Sequence, residues 1–264
     1  MLGGRNQKHN AHAGGFAERR LVDVPSVTPR TMREIQRIAQ EDFAFDILQI
    51  TENAGRAAAM VAFAMLGGHG RGQRVVILAG GGNMGAAGLA SARHLVNWGL
   101  LVEPVFAEVE TEMSFGARRQ MQILRKAGII DAGGEANSED TMEQHLHDAD
   151  LVIDAISGYG FEGPATGISA ALINLLLESR RPALSLDVPT GLKATTGEPS
   201  EPCVQASTTL ALDLPKVGVV AMAARPYVGE LYLADLGIPR AVYEQNGVMV
   251  GPTFSDGPIV RLRR

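Results

Sequence analysis

Two aspartates, Asp154 and Asp187, each close a short apolar run and precede a glycine-bearing turn, Asp154-Ala155-Ile156-Ser157-Gly158 and Asp187-Val188-Pro189-Thr190-Gly191. Carboxylates at matched strand ends project into one crevice, where paired acids ligate a cation or move protons. The local alternative is that an aspartate at such a turn caps nearby backbone amides. Thr190 adds a hydroxyl, with turn stabilisation as its equal alternative. A third feature is the apolar run Val75-Val76-Ile77-Leu78-Ala79, which empties into Gly80-Gly81-Gly82-Asn83-Met84-Gly85-Ala86-Ala87-Gly88. Glycines there allow a sharp turn and close approach of a ligand, and free amides at a helix start favour anionic or strongly polar atoms. The loop has no acid, base or hydroxyl of its own, because Met84, Ala86 and Ala87 fill its centre.

Gly80, Gly82 and Gly85 literally satisfy a dinucleotide fingerprint, and Glu108 stands near the end of the next strand, where an acid would ligate an NAD ribose. That pattern leaves the two preceding helices and the Asp187 turn unexplained. The segment Gly158-Tyr159-Gly160-Phe161-Glu162-Gly163-Pro164 reads as a flexible wall whose aromatics either cover a planar ligand or pack beneath the loop. Lys193, Asp213 and Lys216 fall near strand ends and read as solvated or salt-bridged. His145 and His147, two apart on a helix, face different ways and do not form a metal pair. Cys203 is the only cysteine, so no intrachain disulfide can form, and it reads as a buried, inert thiol.

Alternating strand and helix signals position these residues. Pro29, Met32, Ile35, Ile38 and Ala39 recur at helical spacing behind a Thr28 cap, and a second helix spans 47–66, ending at Gly67-Gly68. Strands are expected at 74–79, 101–107, 150–154, 182–187, 207–212 and 230–233. Helices are expected at 85–98, 114–127, 139–147 and 168–177. This order predicts an α/β fold with a mostly parallel sheet, whose ligands gather beyond the carboxyl ends of the strands. The glycine loop, Asp154–Gly160 and Asp187–Gly191 then form one candidate site.

With 264 residues, 45% of them hydrophobic, the chain can bury the core of one large domain, assigned to 21–264 behind a mobile extension at 1–20. A net charge of -5 argues against a nucleic-acid partner. No run approaches the roughly 20 apolar residues of a membrane helix, and the start lacks a secretory apolar core. A cytoplasmic location is expected.

Together the segments resemble the YjeF N-terminal domain family, the NAD(P)H-hydrate epimerases, over about residues 26–240. The matching motifs are Met32-Arg33-Glu34, Glu52-Asn53-Ala54-Gly55-Arg56-Ala57, the glycine loop, Asp154-Ala155-Ile156-Ser157-Gly158, Leu186-Asp187-Val188-Pro189-Thr190-Gly191-Leu192, Pro215-Lys216 and Leu236-Gly237-Ile238-Pro239. The resemblance implies a Rossmann-like three-layer αβα sandwich with two N-terminal helices, often dimeric, that interconverts the epimers of hydrated NADH or NADPH for repair by a partner dehydratase. It implies substrate contacts at Gly82, Asn83, Met84, Gly85, Ala86, Ala87, at Gly158, Tyr159, Gly160, Phe161, Glu162, Gly163, and at Asp187. It implies potassium at the positions of Met84, Asp154 and Thr190, and no tightly bound organic cofactor. Asp187 is the residue expected to transfer the proton.

The chain departs from the family's usual Gly-Asn-Asn-Gly-Gly-Asp-Gly loop. Met84 puts a thioether where an oxygen ligand is usual, and hard alkali cations bind thioethers poorly. Ala87 deletes a carboxylate, Ala86 adds a methyl, and Glu162 places negative charge near the expected phosphates. Three functions remain open: the family epimerisation, a diverged reaction or ligand of lower negative charge, and a non-catalytic dimerisation or ligand-sensing module. A nicotinamide dehydrogenase ranks fourth.

Overall fold

The computed structural model describes residues 15–130, 139–161 and 163–264. In chain order its elements are β1 (Ala17–Arg20), α1 (Pro29–Glu41), α2 (Ile47–Met65), β2 (Arg74–Ala79), α3 (Asn83–Asn97), β3 (Leu101–Phe106), α4 (Phe115–Lys126), α5 (Glu139–Asp148), β4 (Leu151–Ala155) and α6 (Gly167–Ser179). They continue with β5 (Ala183–Leu186), β6 (Thr208–Leu212), α7 (Val217–Val220), α8 (Arg225–Val228), β7 (Glu230–Ala234), α9 (Arg240–Gln245) and β8 (Ile259–Arg263). Among the described residues the strands form one sheet of eight in the order β1-β8-β7-β6-β5-β4-β2-β3. All pairings are parallel except β7 with β8.

Strand β2 shows why the domain has three layers. Val75, Ile77 and Ala79 face a core shared with α1 to α4, while Val76 and Leu78 face a second core with Leu146 of α5 and Leu172 and Leu176 of α6. A strand covered by helices on both faces reads as a continuous apolar run, and Val75-Val76-Ile77-Leu78-Ala79 is one. The winding direction reverses at the β2–β4 pair, and the cavity described below opens there. A ligand crevice forms at that place because the loops leaving the two strands diverge.

Local chemistry sets the helix ends. The Thr28 hydroxyl accepts from the Thr31 amide at 3.1 Å, and Pro29 occupies the first turn of α1. Its buried stripe is Pro29, Met32, Ile35, Ile38 and Ala39, and burying Met32 or Ile35 stabilises the fold by roughly 1.5–3 kcal/mol each. Asp46 and Gln49 form a reciprocal capping box at the start of α2.

Residues 17–20, which the sequence reading places in the extension at 1–20, form β1 and pair in register with β8. Residues 1–14 of the expected extension lie outside the described residues. Strand β1 escapes the sequence pattern because it is a charged edge segment, and β8, which lies between β1 and β7, because Arg261 and Arg263 interrupt its apolar residues. Ion pairs from Glu18 to Arg263 at 2.9 Å and to Arg261 at 3.5 Å accompany their pairing.

Gly55 sets how closely α2 approaches α3. A Cβ there would lie 2.5 Å from Ala90 Cβ and 2.8 Å from the Ala87 carbonyl oxygen. Gly55→Ala therefore has to push the helices apart, although alanine favours a helix by about 1 kcal/mol over glycine. The expected net result is a loss of about 1–3 kcal/mol in urea unfolding; an unchanged or raised midpoint would refute this reading of the contact.

Candidate functional site

A cavity of about 350 Å³ lies over the carboxyl ends of β2 to β6. That volume is near the lower end of the roughly 300–1,000 Å³ usual for small-molecule sites. Asp187 lies at its base, just beyond β5, with φ of 67°. This left-handed conformation is uncommon but tolerated by aspartate, and it accompanies a side chain directed at three partners. Oδ1 accepts from Lys216 Nζ at 2.5 Å and from the Leu212 amide at 3.4 Å, while Oδ2 accepts from the Tyr159 amide at 3.1 Å.

Lys216 was expected to be solvated or salt-bridged. It is salt-bridged and fully buried, with only 1% of each side chain of the Lys216–Asp187 pair exposed. Its ammonium also donates to the Leu212 carbonyl at 2.9 Å and lies 5.0 Å from the Tyr159 ring centroid. The segment around it is pinned to the chain before α1, where the Val27 amide donates to the Pro215 carbonyl and the Val217 amide donates to the Val27 carbonyl. A buried charge pair needs several hydrogen bonds to offset its desolvation, and this one has them.

The loop after β4 splits its two aromatics between the roles left open for them. Tyr159 is buried, its hydroxyl donating to Gln36 Oε1 of α1 at 2.6 Å and its ionisation suppressed mainly by burial. Phe161 stays 39% exposed on the cavity rim, and Gly158 and Gly160 complete the wall. A side chain at Gly158 would have to displace Met84, since a Cβ would lie 2.7 Å from Met84 Cγ and 3.2 Å from Asp187 Oδ2. The Met84 sulfur, at 3.0 Å, and the Asp187 carboxylate, at 3.2 Å, thus flank that same point. Gly163 lies outside the cavity lining, and Glu162 is outside the described residues.

The glycine loop divides between packing and binding. A Cβ at Gly85 would lie 1.7 Å from the Gly80 carbonyl oxygen, and one at Gly88 would lie 2.6 Å from Ala155 Cβ. These glycines let the loop fold on itself and seat α3 on the sheet. Ala86 is buried and faces Gly116 of α4, so Gly85 and Ala86 do not line the cavity. Gly82, Asn83, Met84 and Ala87 do line it, and a Cβ at Gly82 would meet open space. Gly82 caps α3 without a side-chain bond, so no capping side chain occupies the first-turn amides at this end of the helix, whose residues Gly82, Asn83 and Met84 line the cavity.

Asp154 does not share the crevice with Asp187. It is the register partner of Ser185 inside the sheet, fully buried, and both oxygens are engaged. Oδ2 accepts from the Ser185 hydroxyl at 2.7 Å and the Thr190 amide at 2.9 Å; Oδ1 accepts from the Thr190 hydroxyl at 2.7 Å. Burial pushes its pKa up against those bonds. The arrangement ties the ends of β4 and β5 together. As a potassium site, Met84, Asp154 and Thr190 would combine a thioether with a carboxylate whose oxygens already accept, and this donor set does not fit a hard alkali cation.

Sequence reasoning missed Arg33, Gln36 and Thr51, which reach the cavity from α1 and α2, and it undervalued Asp213. Asp213 follows β6 with φ of 68°, is buried, accepts from the Tyr243 hydroxyl, and has a partnerless Oδ2 among the described residues. Its pKa rises to about 6, chiefly through burial, although Lys216 nearby pulls it down. Asn53 serves structure, its amide donating to the Leu236 carbonyl at 2.8 Å and joining α2 to the loop after β7. Cys203 is buried, and burial pushes its thiol up to about 12, which suits an inert role.

Two measurements test this electrostatic arrangement. Lys216→Met should cost about 3–5 kcal/mol by stranding a buried carboxylate, and adding Asp187→Asn should recover most of it; additive losses would show that the pair is not coupled. Because the folded pKa of Asp213 exceeds its unfolded value, its protonation stabilises the fold at low pH, and that stability is lost as pH rises from about 4 to about 6. Asp213→Asn should gain stability relative to the native chain across that window and then level off. A constant difference between pH 4 and 7 would refute the assignment.

The family described as YjeF-related protein N-terminus matches residues 48–218. A protein of Dehalogenimonas lykanthroporepellens named NAD(P)H-hydrate epimerase is 38% identical over 240 residues, covering 90% of this chain and 93% of that one. One of the same name from Rhodopirellula baltica is 33% identical over 229 residues, covering 86% and 91%. The crystal structure of yeast ynu0, YNL200c, superposes with a TM-score of 0.74 at 22% identity, covering 90% of this chain and all of that one, and it shares the fold. The chain belongs to the family of YjeF-related protein N-termini.

Proposed function

We propose that this protein interconverts the two epimers of hydrated NADH or NADPH by acid/base chemistry at Asp187. The observation that carries this reading is the buried Asp187–Lys216 pair at the base of a cavity that also receives the uncapped N-terminus of α3. The helix end seats the pyrophosphate, and the pair faces the hydrated ring. Relatives named NAD(P)H-hydrate epimerase, aligned over nearly the whole chain, support the same substrate.

Inversion of a hydroxyl-bearing carbon beside a ring nitrogen proceeds here by breaking the C–O bond with protonation of the departing oxygen, which leaves as water while the nitrogen lone pair stabilises the cation left behind. Water then adds to the opposite face and gives up a proton. Asp187 and Lys216 together hold one transferable proton across a 2.5 Å contact. It is given to the departing hydroxyl and recovered from the incoming water, so the pair ends each turnover as it began. Burial strengthens this exchange, because charges in a water-poor cavity interact more strongly than in solvent. Met84 and the Tyr159 ring supply an apolar, close-fitting surround that holds Asp187 in place. No step passes through potassium.

Each purified hydrate epimer, incubated with the protein and followed by chromatography, should approach the equilibrium mixture faster than in buffer. Asp187→Asn should slow the exchange by about 10²–10⁴-fold, and potassium and sodium buffers should give equal rates. An undiminished rate in the variant would remove Asp187 from catalysis. Several-fold stimulation by potassium would overturn the argument from the donor set.

A further inference from the structure

We propose that Glu108 makes this site selective for the hydrate of NADH over that of NADPH, a refinement that rests on the epimerase reading above. Glu108 stands two residues beyond β3, the sheet edge next to the glycine-loop strand β2, and it lines the cavity. Its carboxylate lies over the backbone of the glycine loop: a Cβ at Gly81 would fall 1.9 Å from Glu108 Oε2. The loop that carries it is fixed there, since the Ser114 amide donates to the Gly81 carbonyl at 2.7 Å. Glu108 therefore belongs to the rim of the site, its carboxylate beside the backbone of the glycine loop.

Strand order dictates what meets this carboxylate. The ends of β3, β2, β4 and β5 follow one another along the cavity, presenting Glu108, the α3 N-terminus, the Gly158 loop and Asp187 in sequence. A dinucleotide with its pyrophosphate on α3 and its hydrated ring at Asp187 places its adenosine ribose at Glu108. A carboxylate there accepts hydrogen bonds from the ribose 2′- and 3′-hydroxyls and repels a 2′-phosphate.

The surrounding charges reinforce that preference. The loop after β3 also carries Glu110 and Glu112, and among the described residues only Glu110 has an ion-pair partner, Arg125 at 2.7 Å. Arg33, a cation that lines the cavity, lies near Tyr159 at the opposite end, where its charge acts on the phenol. Arg118 of α4 donates to the Met113 carbonyl and does not line the cavity. A phosphate dianion beside Glu108 thus meets negative charge, and among the described residues no cation lines the cavity at that end.

The test compares kcat/KM for the hydrates of NADH and NADPH in the native protein and in Glu108→Gln, with calorimetric binding of NADH and NADPH as a readout independent of turnover. The native protein should favour the NADH hydrate by about 10- to 100-fold at low salt. The variant should bring the ratio near unity, mainly by a rise for the NADPH hydrate. Added salt should shrink the native preference and leave the variant's ratio unmoved. Equal handling of both hydrates by the native protein, or an unchanged ratio in the variant, overturns the role of Glu108 and leaves the epimerase reading standing. Absence of both exchange and binding overturns that reading and this one with it.

Discussion

A carboxylate cannot be carried into a protein interior without a partner, and the organisation of this domain around Asp187 follows from that constraint. The cost of desolvating Asp187 is offset by Lys216, by the Tyr159 amide and by the Leu212 amide. Each partner belongs to a different segment: the Gly158 loop, the end of β6, and the chain leading into α7. Lys216 in turn depends on the strand-like contact between Val27 and the Pro215–Val217 segment. The ion pair thereby links the start of the domain, the ends of β5 and β6 and the loop after β4 at the lining of the cavity.

The glycine loop shows how one motif divides its work. Gly80, Gly85 and Gly88 are small because backbone, loop and strand approach them closely, and none of them requires a positive φ. Gly82 and Asn83 line the cavity, and no capping side chain covers the start of α3 there. Ala86, which looks like a substitution in a binding loop, is a core residue of the α3–α4 contact. The Asp154 turn has the same character. Its conspicuous carboxylate is consumed by Ser185 and Thr190, and it ties the end of β4 to the end of β5, the strand that Asp187 follows.

Much of the fold was legible because hydrophobic period and punctuation agree. The run 74–79 matches β2 residue for residue, α1 begins at the Thr28–Pro29 cap, and α2 stops before Gly67. Strands β1 and β8 were not legible, since Ala17-Glu18-Arg19-Arg20 has no apolar run and becomes a strand only by pairing across more than two hundred residues of sequence. In the site, Asp187, Met84, Tyr159 and Phe161 were visible as residues with chemistry at strand ends. Arg33, Gln36 and Thr51 were not, because they lie on helices whose periodicity reveals only their buried faces.

The sequence by itself determined the alternation of strands and helices, the family resemblance and the identity of Asp187 as the acid at a strand end, because these depend on local pattern and on motifs in order. Only the tertiary structure decided which of two similar aspartates reaches the cavity, that Lys216 is buried against it, and that Glu108 overlies the glycine loop. Those outcomes depend on strand register, on a left-handed turn at Asp187 and on the order of strands in the sheet. Register and strand order arise from contacts between segments far apart in the chain, so residue spacing alone does not encode them in readable form.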